Sequence, residues 1–110
     1  MIEVIYDCTK FDLRVTGHAG AAPRGEDLVC AAATMLVRTF ARNAELMDNA
    51  GIVSGVRIEL EDGDAHVCCK PAKKYRAVAS AVLQGICIGF DMLEKEYPEY
   101  LKFKAVEGGN

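Results

Sequence analysis

The sequence predicts an α+β fold, in which an antiparallel β-sheet of four to five strands packs against two main helices in the order ββαββα(β). Its 110 residues supply one hydrophobic core of two packed layers. Short segments with an apolar residue at every second position alternate with two long segments in which apolar residues recur every three to four positions. The hairpin connections are too short for parallel crossovers, so we expect a single domain over residues 1–110 with an antiparallel sheet.

The N-terminal part of the chain predicts a β-hairpin and a loop. Residues 1–7 and residues 10–17 each alternate apolar and polar side chains, as a strand with one buried face does. The side chains on the apolar faces are Ile2, Val4, Tyr6, Phe11, Leu13 and Val15. Residues 19–25 then predict a loop that we expect to be mobile, because Gly20 and Gly25 stand among small residues that anchor it weakly.

A change of period marks the first helix. From Glu26 onward, apolar residues recur at helical spacing as far as Asn49, and Gly51 then offers a C-cap. This segment is long enough for about six helical turns. The predicted apolar stripe consists of Val29, Ala33, Leu36, Phe40, Ala44 and Met47.

A second hairpin follows the first helix. Its strands cover residues 56–60 and 65–70. Between them stands Asp62-Gly63, a pair that strongly favours a tight hairpin turn. We therefore expect these two strands to lie side by side in the same sheet as the first hairpin.

The last third of the chain predicts a second helix and a short strand. Pro71 suits the first turn of this helix, which ends before Pro98, and residues 101–106 suit a final strand. The predicted stripe of the helix consists of Tyr75, Val78, Val82, Ile86, Phe90 and Leu93.

Composition and charge argue against several classes of protein. Hydrophobic residues make up 51% and charged residues 26% of the chain, which argues against intrinsic disorder. The net charge of -3 disfavours binding to a phosphate backbone, so we expect no direct nucleic-acid partner. No stretch approaches the roughly 20 apolar residues that span a bilayer, and Glu3 and Asp7 stand where a signal peptide would be basic and apolar. We therefore expect a cytoplasmic protein without membrane contact.

The five cysteines favour free thiols in a reducing compartment, because their number is odd and their spacing follows no disulfide framework. Cys68 and Cys69 are adjacent in a predicted strand and point to opposite faces, so His66 shares a face with Cys68 only. Two ligands do not make a zinc site, and we expect neither a metal nor a cofactor. No role is assigned to Cys8 or Cys87.

His18 and Cys30 are the candidate catalytic residues. His18 lies where the second strand ends, and Cys30 falls in the first turns of the first helix. Free backbone N–H groups and the helix dipole favour a thiolate there, and a neighbouring imidazole completes a nucleophile and base. The same N–H groups can serve a developing oxyanion. Taken in isolation, a buried cysteine and a loop histidine would be the more common explanation.

Asp27 and Thr34 share a helix face with Cys30, since they stand three residues before it and four residues after it. Two roles stay open for Asp27. It caps the helix, or it orients His18 as the third member of a triad. The spacing favours the cap, because acidic residues are common in the first helical turn.

A family resemblance involves the same residues. Gly17-His18-Ala19, followed across a short loop by Gly25-Glu26-Asp27-Leu28-Val29-Cys30-Ala31-Ala32, closely resembles the signature of the ribosomal-processing cysteine proteases, the Prp or YsxB-like family. The resemblance implies that Cys30 is the nucleophile, that His18 is its base and that Asp27 is the family's aspartate. The family often carries a serine one turn after the cysteine, where this chain has Thr34.

The resemblance also implies a function. Family members are endopeptidases of the bacterial cytoplasm that remove a short N-terminal extension from protein twenty-seven of the large ribosomal subunit. The resemblance also implies that the chain forms a homodimer. The segment cleaved in that family is apolar and aromatic. Residues 19–25, with Gly20 and Gly25, are then a substrate loop that closes over the bound segment.

Two further hypotheses stay open at this point. In the first, the chain is a non-catalytic homodimeric binding module in ribosome assembly, and Cys30 merely begins a helix. The second is a thiol redox role, for which Cys8 or Cys69 would have to approach Cys30 in space. The pH dependence of Cys30 alkylation separates the peptidase from the binding module, because only an activated thiolate reacts readily at low pH.

Overall fold

Residues 1–23 and 27–108, which this computed structural model describes, contain five strands and two long helices in the predicted order. The α+β prediction is confirmed. The strands are β1 (Ile2–Asp7), β2 (Asp12–Thr16), β3 (Val53–Glu61), β4 (Asp64–Pro71) and β5 (Leu101–Val106). The helices are α1 (Leu28–Asn49) and α2 (Arg76–Glu96), and a short 3-10 turn at Lys73–Tyr75 precedes α2.

The strands form one mixed sheet in the spatial order β3-β4-β2-β1-β5. The pairs β1–β2, β2–β4 and β3–β4 are antiparallel, as the sequence predicts. In contrast, β5 pairs in parallel with β1, so that Ile2 lies opposite Leu101 and Asp7 opposite Val106. The reason is that α2 carries the chain back to the end of the sheet where β4 begins. The last strand therefore runs in the direction of β4 and β1.

Both helices cover one face of the sheet and pack against each other, which gives two layers with the core between them. Aromatic contacts join the layers. The ring of Tyr6 on β1 meets Phe40 on α1 edge to face with centroids 5.6 Å apart. Phe90 on α2 stacks on Phe103 of β5 at 6.2 Å. On β1 and β2 the buried side chains are those of the predicted apolar faces: Ile2, Val4, Tyr6, Leu13 and Val15.

The ends of α1 follow the rules for helix caps. Its first described residues follow Asp27, which is the N-cap, and Glu26 lies outside the described residues. At the other end, Gly51 has φ +75 and donates its N–H to the Asp48 carbonyl, while Ile52 donates to Met47. These two bonds form a Schellman motif, so the predicted glycine terminates the helix by its left-handed conformation.

The sequence-based prediction for the start of α2 is wrong. Pro71 is the last residue of β4, and the 3-10 turn separates it from the helix. Tyr75 and Val78, predicted to be buried, are exposed, because this segment carries apolar residues on several sides and the core covers only one of them. The buried side chains of α2 are Ala79, Leu83, Cys87, Phe90 and Leu93.

Apolar residues also lie on the outside of the helices. Within the described part of the chain, the segment Lys73–Glu96 is long and apolar enough to span a bilayer by length and composition alone, a test that core helices of soluble proteins also pass. One side of α2 packs in the core, and Val78, Ile88 and Met92 on its other sides are exposed. An apolar stripe therefore could not locate the buried face by itself.

Candidate active site

Gly17 positions His18 at the end of β2. Its N–H donates to the Gly63 carbonyl at 2.9 Å, which ties the strand to the turn between β3 and β4. Gly17 has φ +89, and a Cβ there would lie only 2.3 Å from the backbone oxygen of Met1. The left-handed backbone and this close approach both require glycine. The position of His18 thus depends on the residue before it.

The His18 ring lies against the β3–β4 turn. A Cβ built on Gly63 would stand 2.7 Å from Nε2 of His18, and Gly63 itself has φ +73. The same nitrogen lies 3.9 Å from Oδ1 of Asp62, and both of these side chains are more than half exposed. The predicted Asp-Gly turn therefore also forms the surface on which the imidazole rests.

Asp27 caps the helix that carries Cys30. Its Oδ1 accepts the N–H groups of Val29 and Cys30, each at 3.0 Å, and its Oδ2 accepts the N–H of Ala21 at 3.1 Å. The bond from the Cys30 amide is the largest cause that lowers the pKa of the Asp27 carboxyl, while burial opposes it. Asp27 thus holds α1 and the preceding loop together.

This cap changes the predicted chemistry of the helix terminus. The N–H groups of Val29 and Cys30 were expected to be free for an oxyanion, but both are bound to the Asp27 carboxylate. The expectation is wrong because the capping side chain satisfies those donors first. Instead, the N–H of Ala19 donates to Sγ of Cys30 at 3.3 Å. This amide therefore lies beside the Cys30 sulfur.

The Thr34 hydroxyl also has a backbone partner. Oγ1 donates to the Cys30 carbonyl at 2.8 Å, the usual bond of a threonine to the carbonyl one turn earlier. Thr34 shares the predicted helix face and lines the same pocket as Cys30. This hydrogen bond therefore engages the Thr34 hydroxyl with the backbone of Cys30.

A cavity of about 630 Å³ joins these elements. His18, Cys30 and Asp27 line it together with Gly17 and Gly20. Among residues 1–23 and 27–108, no hydrogen bond joins the His18 ring to the Cys30 sulfur or to the Asp27 carboxylate. The structure thus brings the predicted residues into one pocket, and the acid beside His18 is Asp62.

The loop after His18 is better anchored than the sequence suggests. Ala19 is buried, and the amides of Ala19 and Ala21 bond to Cys30 and Asp27 respectively. The prediction of weak anchoring considered only side chains, whereas the anchors here are main-chain N–H groups. Gly20 lies between them with φ +70, and Gly25 lies outside the described residues.

Three residues that shape the site were missed by the sequence analysis. Ala19 lies beside Cys30, and Asp62 and Gly63 lie beside His18. Ala19 and Gly63 carry no catalytic side chain, and Asp62 was interpreted only as part of a turn. The signals for them were present, since Ala19 belongs to the Gly-His-Ala signature and Asp62-Gly63 is a turn motif. Neither signal says that the turn and the histidine meet in space.

Of the remaining thiols, the two that are buried, Cys69 and Cys87, should be unreactive. Burial raises the pKa of Cys69 to about 11 and that of Cys87 to about 12. Both therefore stay protonated near neutral pH, and neither lines the cavity around Cys30. Cys30, by contrast, is only partly buried.

Comparison with known proteins places the chain in a family. The family described as Cysteine protease Prp matches residues 1–102. The chain belongs to this family. It is therefore a cysteine protease of the Prp family. No curated protein matches the chain.

Solved structures share the fold of this Prp-family chain. An essential ribosomal processing protease Prp from S. aureus, in complex with a covalently linked product peptide, is 21% identical with a TM-score of 0.70, and the match covers 96% of this chain and 97% of that one. The same protease with a substrate peptide is 19% identical, with a TM-score of 0.65 and the same coverage. SMU.848 from Streptococcus mutans is 19% identical with a TM-score of 0.66, covering 96% of this chain and 91% of that one.

Proposed function

We propose that this protease removes the N-terminal extension of protein twenty-seven of the large ribosomal subunit, with Cys30 as nucleophile and His18 as base. The observation that carries the assignment of these residues is the contact between the Ala19 amide and Cys30 Sγ at 3.3 Å, in a cavity that His18 also lines. A backbone donor beside the sulfur and a histidine in the same cavity are the surroundings that a nucleophilic cysteine requires.

The reaction follows from the placement of these groups. His18 takes the proton of the Cys30 thiol, and Sγ attacks the carbonyl carbon of the scissile bond. The Ala19 amide lies beside the attacking sulfur, so it is the backbone donor that we assign to the developing oxyanion. His18 then gives its proton to the leaving amine as the C–N bond breaks. Water hydrolyses the resulting thioester and restores the thiol.

The lining of the cavity suits a peptide segment that has apolar side chains and, next to them, polar or basic ones. Val15, Val37 and Leu60 contribute apolar surface, while Glu61 and Asp64 place acidic groups along the β3–β4 side. In the resembling family the cleaved segment is apolar and aromatic, and a structure of the S. aureus protease holds a substrate peptide. These features support a ribosomal protein extension as the substrate.

A digest of the ribosomal precursor tests the proposal. The purified protein is incubated with the precursor of protein twenty-seven, and the products are weighed by mass spectrometry. We expect cleavage at one bond that frees the extension, no further cleavage of the mature protein, and no product with Cys30→Ala. An intact precursor would reject this substrate, and cleavage that persists in Cys30→Ala would reject the nucleophile.

We also propose that the protease acts as a homodimer in the cytoplasm. Exposed apolar side chains on α1 and α2, each half or more accessible, supply surface that a second copy can cover: Leu28, Met35, Val78, Ile88 and Met92. The five free thiols suit a reducing compartment. Light scattering should give a mass twice that of the chain, and Ile88→Asp should shift the measured mass towards that of the monomer. Cell fractionation tests the location, and the protein should be recovered in the cytoplasmic fraction.

A further inference from the structure

The face of the sheet opposite the helices brings three metal-ligating side chains together. Asp12 on β2 lies directly opposite Cys68 on β4, and His66 stands two residues before Cys68 on the same strand. Their neighbours Leu13 and Val67 point into the core, so these three side chains point outward. One potential ligand atom from each lies within 4.8 Å of the other two.

We propose that Asp12, His66 and Cys68 form a binding site for a zinc ion or a similar divalent transition metal. Carboxylate, imidazole and thiolate are the zinc ligands of proteins, at about 2.0 to 2.3 Å from the ion. Ligand atoms of a tetrahedral site are then about 3.3 to 3.8 Å apart. Small side-chain rotations bring the observed atoms to that separation and leave a fourth position for water.

The site is partly organised before any ion binds. Nε2 of His66 and Oδ2 of Asp12 lie 2.9 Å apart, and the His66 side chain is only 16% exposed. Because the three residues stand on paired strands, the backbone hydrogen bonds between β2 and β4 fix their spacing more firmly than a loop would. The sequence analysis found only His66 and Cys68, since the third ligand comes from another strand.

The surrounding charges set conditions for binding. Arg14 lies opposite His66, with Nε 4.0 Å from Oδ1 of Asp12, while Arg57 opposite Cys68 is paired with Glu59 at 3.1 Å. The positive charges of these arginines partly cancel the negative charges of the nearby carboxylates. The ion would therefore be held mainly by coordination to the three ligand atoms and less by the net charge of the site. On binding, the Cys68 thiol releases its proton to solvent and the imidazole binds in its neutral form. Affinity should therefore fall as the pH falls.

This site is separate from the protease pocket, which none of the three residues lines. A metal held there would link β2 to β4 and stabilise the folded protein over the unfolded chain. The proposal does not depend on the proposed substrate or on Cys30. It can therefore be tested in a protein that has no protease activity.

Cobalt binding to the Cys30→Ala protein provides the test, because that variant lacks the pocket thiol as an alternative ligand. We expect one Co²⁺ per chain, a cobalt–thiolate absorption band, and loss of the band when Zn²⁺ is added. Cys68→Ser should abolish the band, and His66→Ala or Asp12→Asn should weaken affinity about tenfold or more. The matched control is Cys8→Ser, another partly buried thiol, which should leave the band unchanged.

Alkylation gives a second readout that requires no change at the site. In the Cys30→Ala protein, Zn²⁺ should protect Cys68 from iodoacetamide, as mapped by mass spectrometry, and should raise the thermal unfolding midpoint. Cobalt without a thiolate band, a band that survives Cys68→Ser, or Cys68 that reacts equally fast with and without Zn²⁺ would overturn the proposal.

Discussion

The imidazole of His18 rests against Gly63, so closely that a methyl group on Gly63 would lie 2.7 Å from Nε2. The turn between β3 and β4 therefore has a second role beside the connection of two strands. It holds His18, the proposed general base, on the rim of the cavity that Cys30 also lines. A residue without a side chain thus shapes the surface on which the imidazole rests.

Gly63→Ala should reduce peptidase activity strongly, because the new methyl group displaces the His18 ring. It should also cost about 1 kcal/mol of stability, since Gly63 has φ +73. Gly51→Ala is the matched control. Gly51 has φ +75, nothing lies within 4 Å of a built Cβ there, and it does not line the cavity, so Gly51→Ala introduces the same unfavourable backbone conformation without touching His18. Thermal unfolding and kcat/KM are measured for both variants.

The comparison between the two glycine variants isolates the steric effect. Equal losses of stability together with activity lost only in Gly63→Ala would support the contact with His18. Equal activity in the two variants would show that the ring tolerates the methyl group and that the turn does not position the base.

Cys30→Ala should abolish cleavage and leave the fold intact, because alanine is the best helix former and Cys30 is only partly buried. His18→Ala should lower kcat/KM by several orders of magnitude and slow alkylation of Cys30 near neutral pH. His66→Ala is the control, since His66 lies on the outer face of the sheet and does not line the cavity, so this variant should leave peptide cleavage unchanged. Retained cleavage in Cys30→Ala would end the assignment of the nucleophile.

Asp62→Asn should have a modest effect on catalysis. Asp62 lies 3.9 Å from Nε2 of His18, but both side chains are more than half exposed. Such a pair contributes about 0.2 to 1 kcal/mol, which corresponds to a loss of about 1.4- to fivefold in kcat/KM. The rate is followed between pH 5 and 8. A loss of a hundredfold or more would instead make Asp62 a strongly coupled orienting residue.

Much of the fold could be predicted from the sequence because local signals and packing agree. Alternating residues locate β1 and β2, the Asp62-Gly63 pair locates the second hairpin, and Gly51 terminates α1. The parallel pairing of β5 was missed, since it follows from the path of α2 across the sheet. The buried face of α2 was misplaced, since that helix is apolar on several sides.

The site could be predicted only in part for a related reason. Cys30 and His18 have reactive side chains, so their types and spacing indicate chemistry. The contributions of Ala19 and Gly63 come from a backbone amide and from the absence of a side chain, and only three-dimensional contacts reveal them. The role of Asp27 illustrates the same limit, because spacing left the cap and the orienting role open, whereas the structure shows the cap.

Asp27→Asn should destabilise the protein by about 1 kcal/mol. The amide oxygen of asparagine can accept the N–H groups of Val29 and Cys30, but its NH₂ group would face the N–H of Ala21, a donor against a donor. Activity should fall partially, because the loop beside Cys30 loses one anchor. Thermal unfolding with kcat/KM measures both effects, and a variant as stable as the unaltered protein would contradict the double role of the cap.

The same variant predicts a change in acid stability. The pKa of the Asp27 carboxyl is lowered in the folded protein from the ordinary value of 3.8, mainly by the bond from the Cys30 amide. Its contribution is therefore complete above that value and is lost as the pH falls towards the folded-state pKa. The stability difference between the unaltered protein and Asp27→Asn should shrink below about pH 4 in denaturant titrations. A difference that stays constant down to pH 2 would exclude this linkage.

The loop between His18 and Asp27 should show selective hydrogen exchange at two amides. The N–H of Ala19 bonds to Cys30 Sγ and that of Ala21 bonds to Asp27 Oδ2, so both should exchange slowly in the free protein. Cys30→Ala should speed exchange at Ala19 while Ala21 stays protected, and Asp27→Ala should speed exchange at Ala21, because each substitution removes one acceptor. Exchange is followed by NMR. If both amides of the unaltered protein exchange at the rate of an unfolded chain, the loop is open without substrate. If protection then appears only when an uncleaved peptide is bound, the sequence-based prediction of a loop that closes over the substrate would be supported.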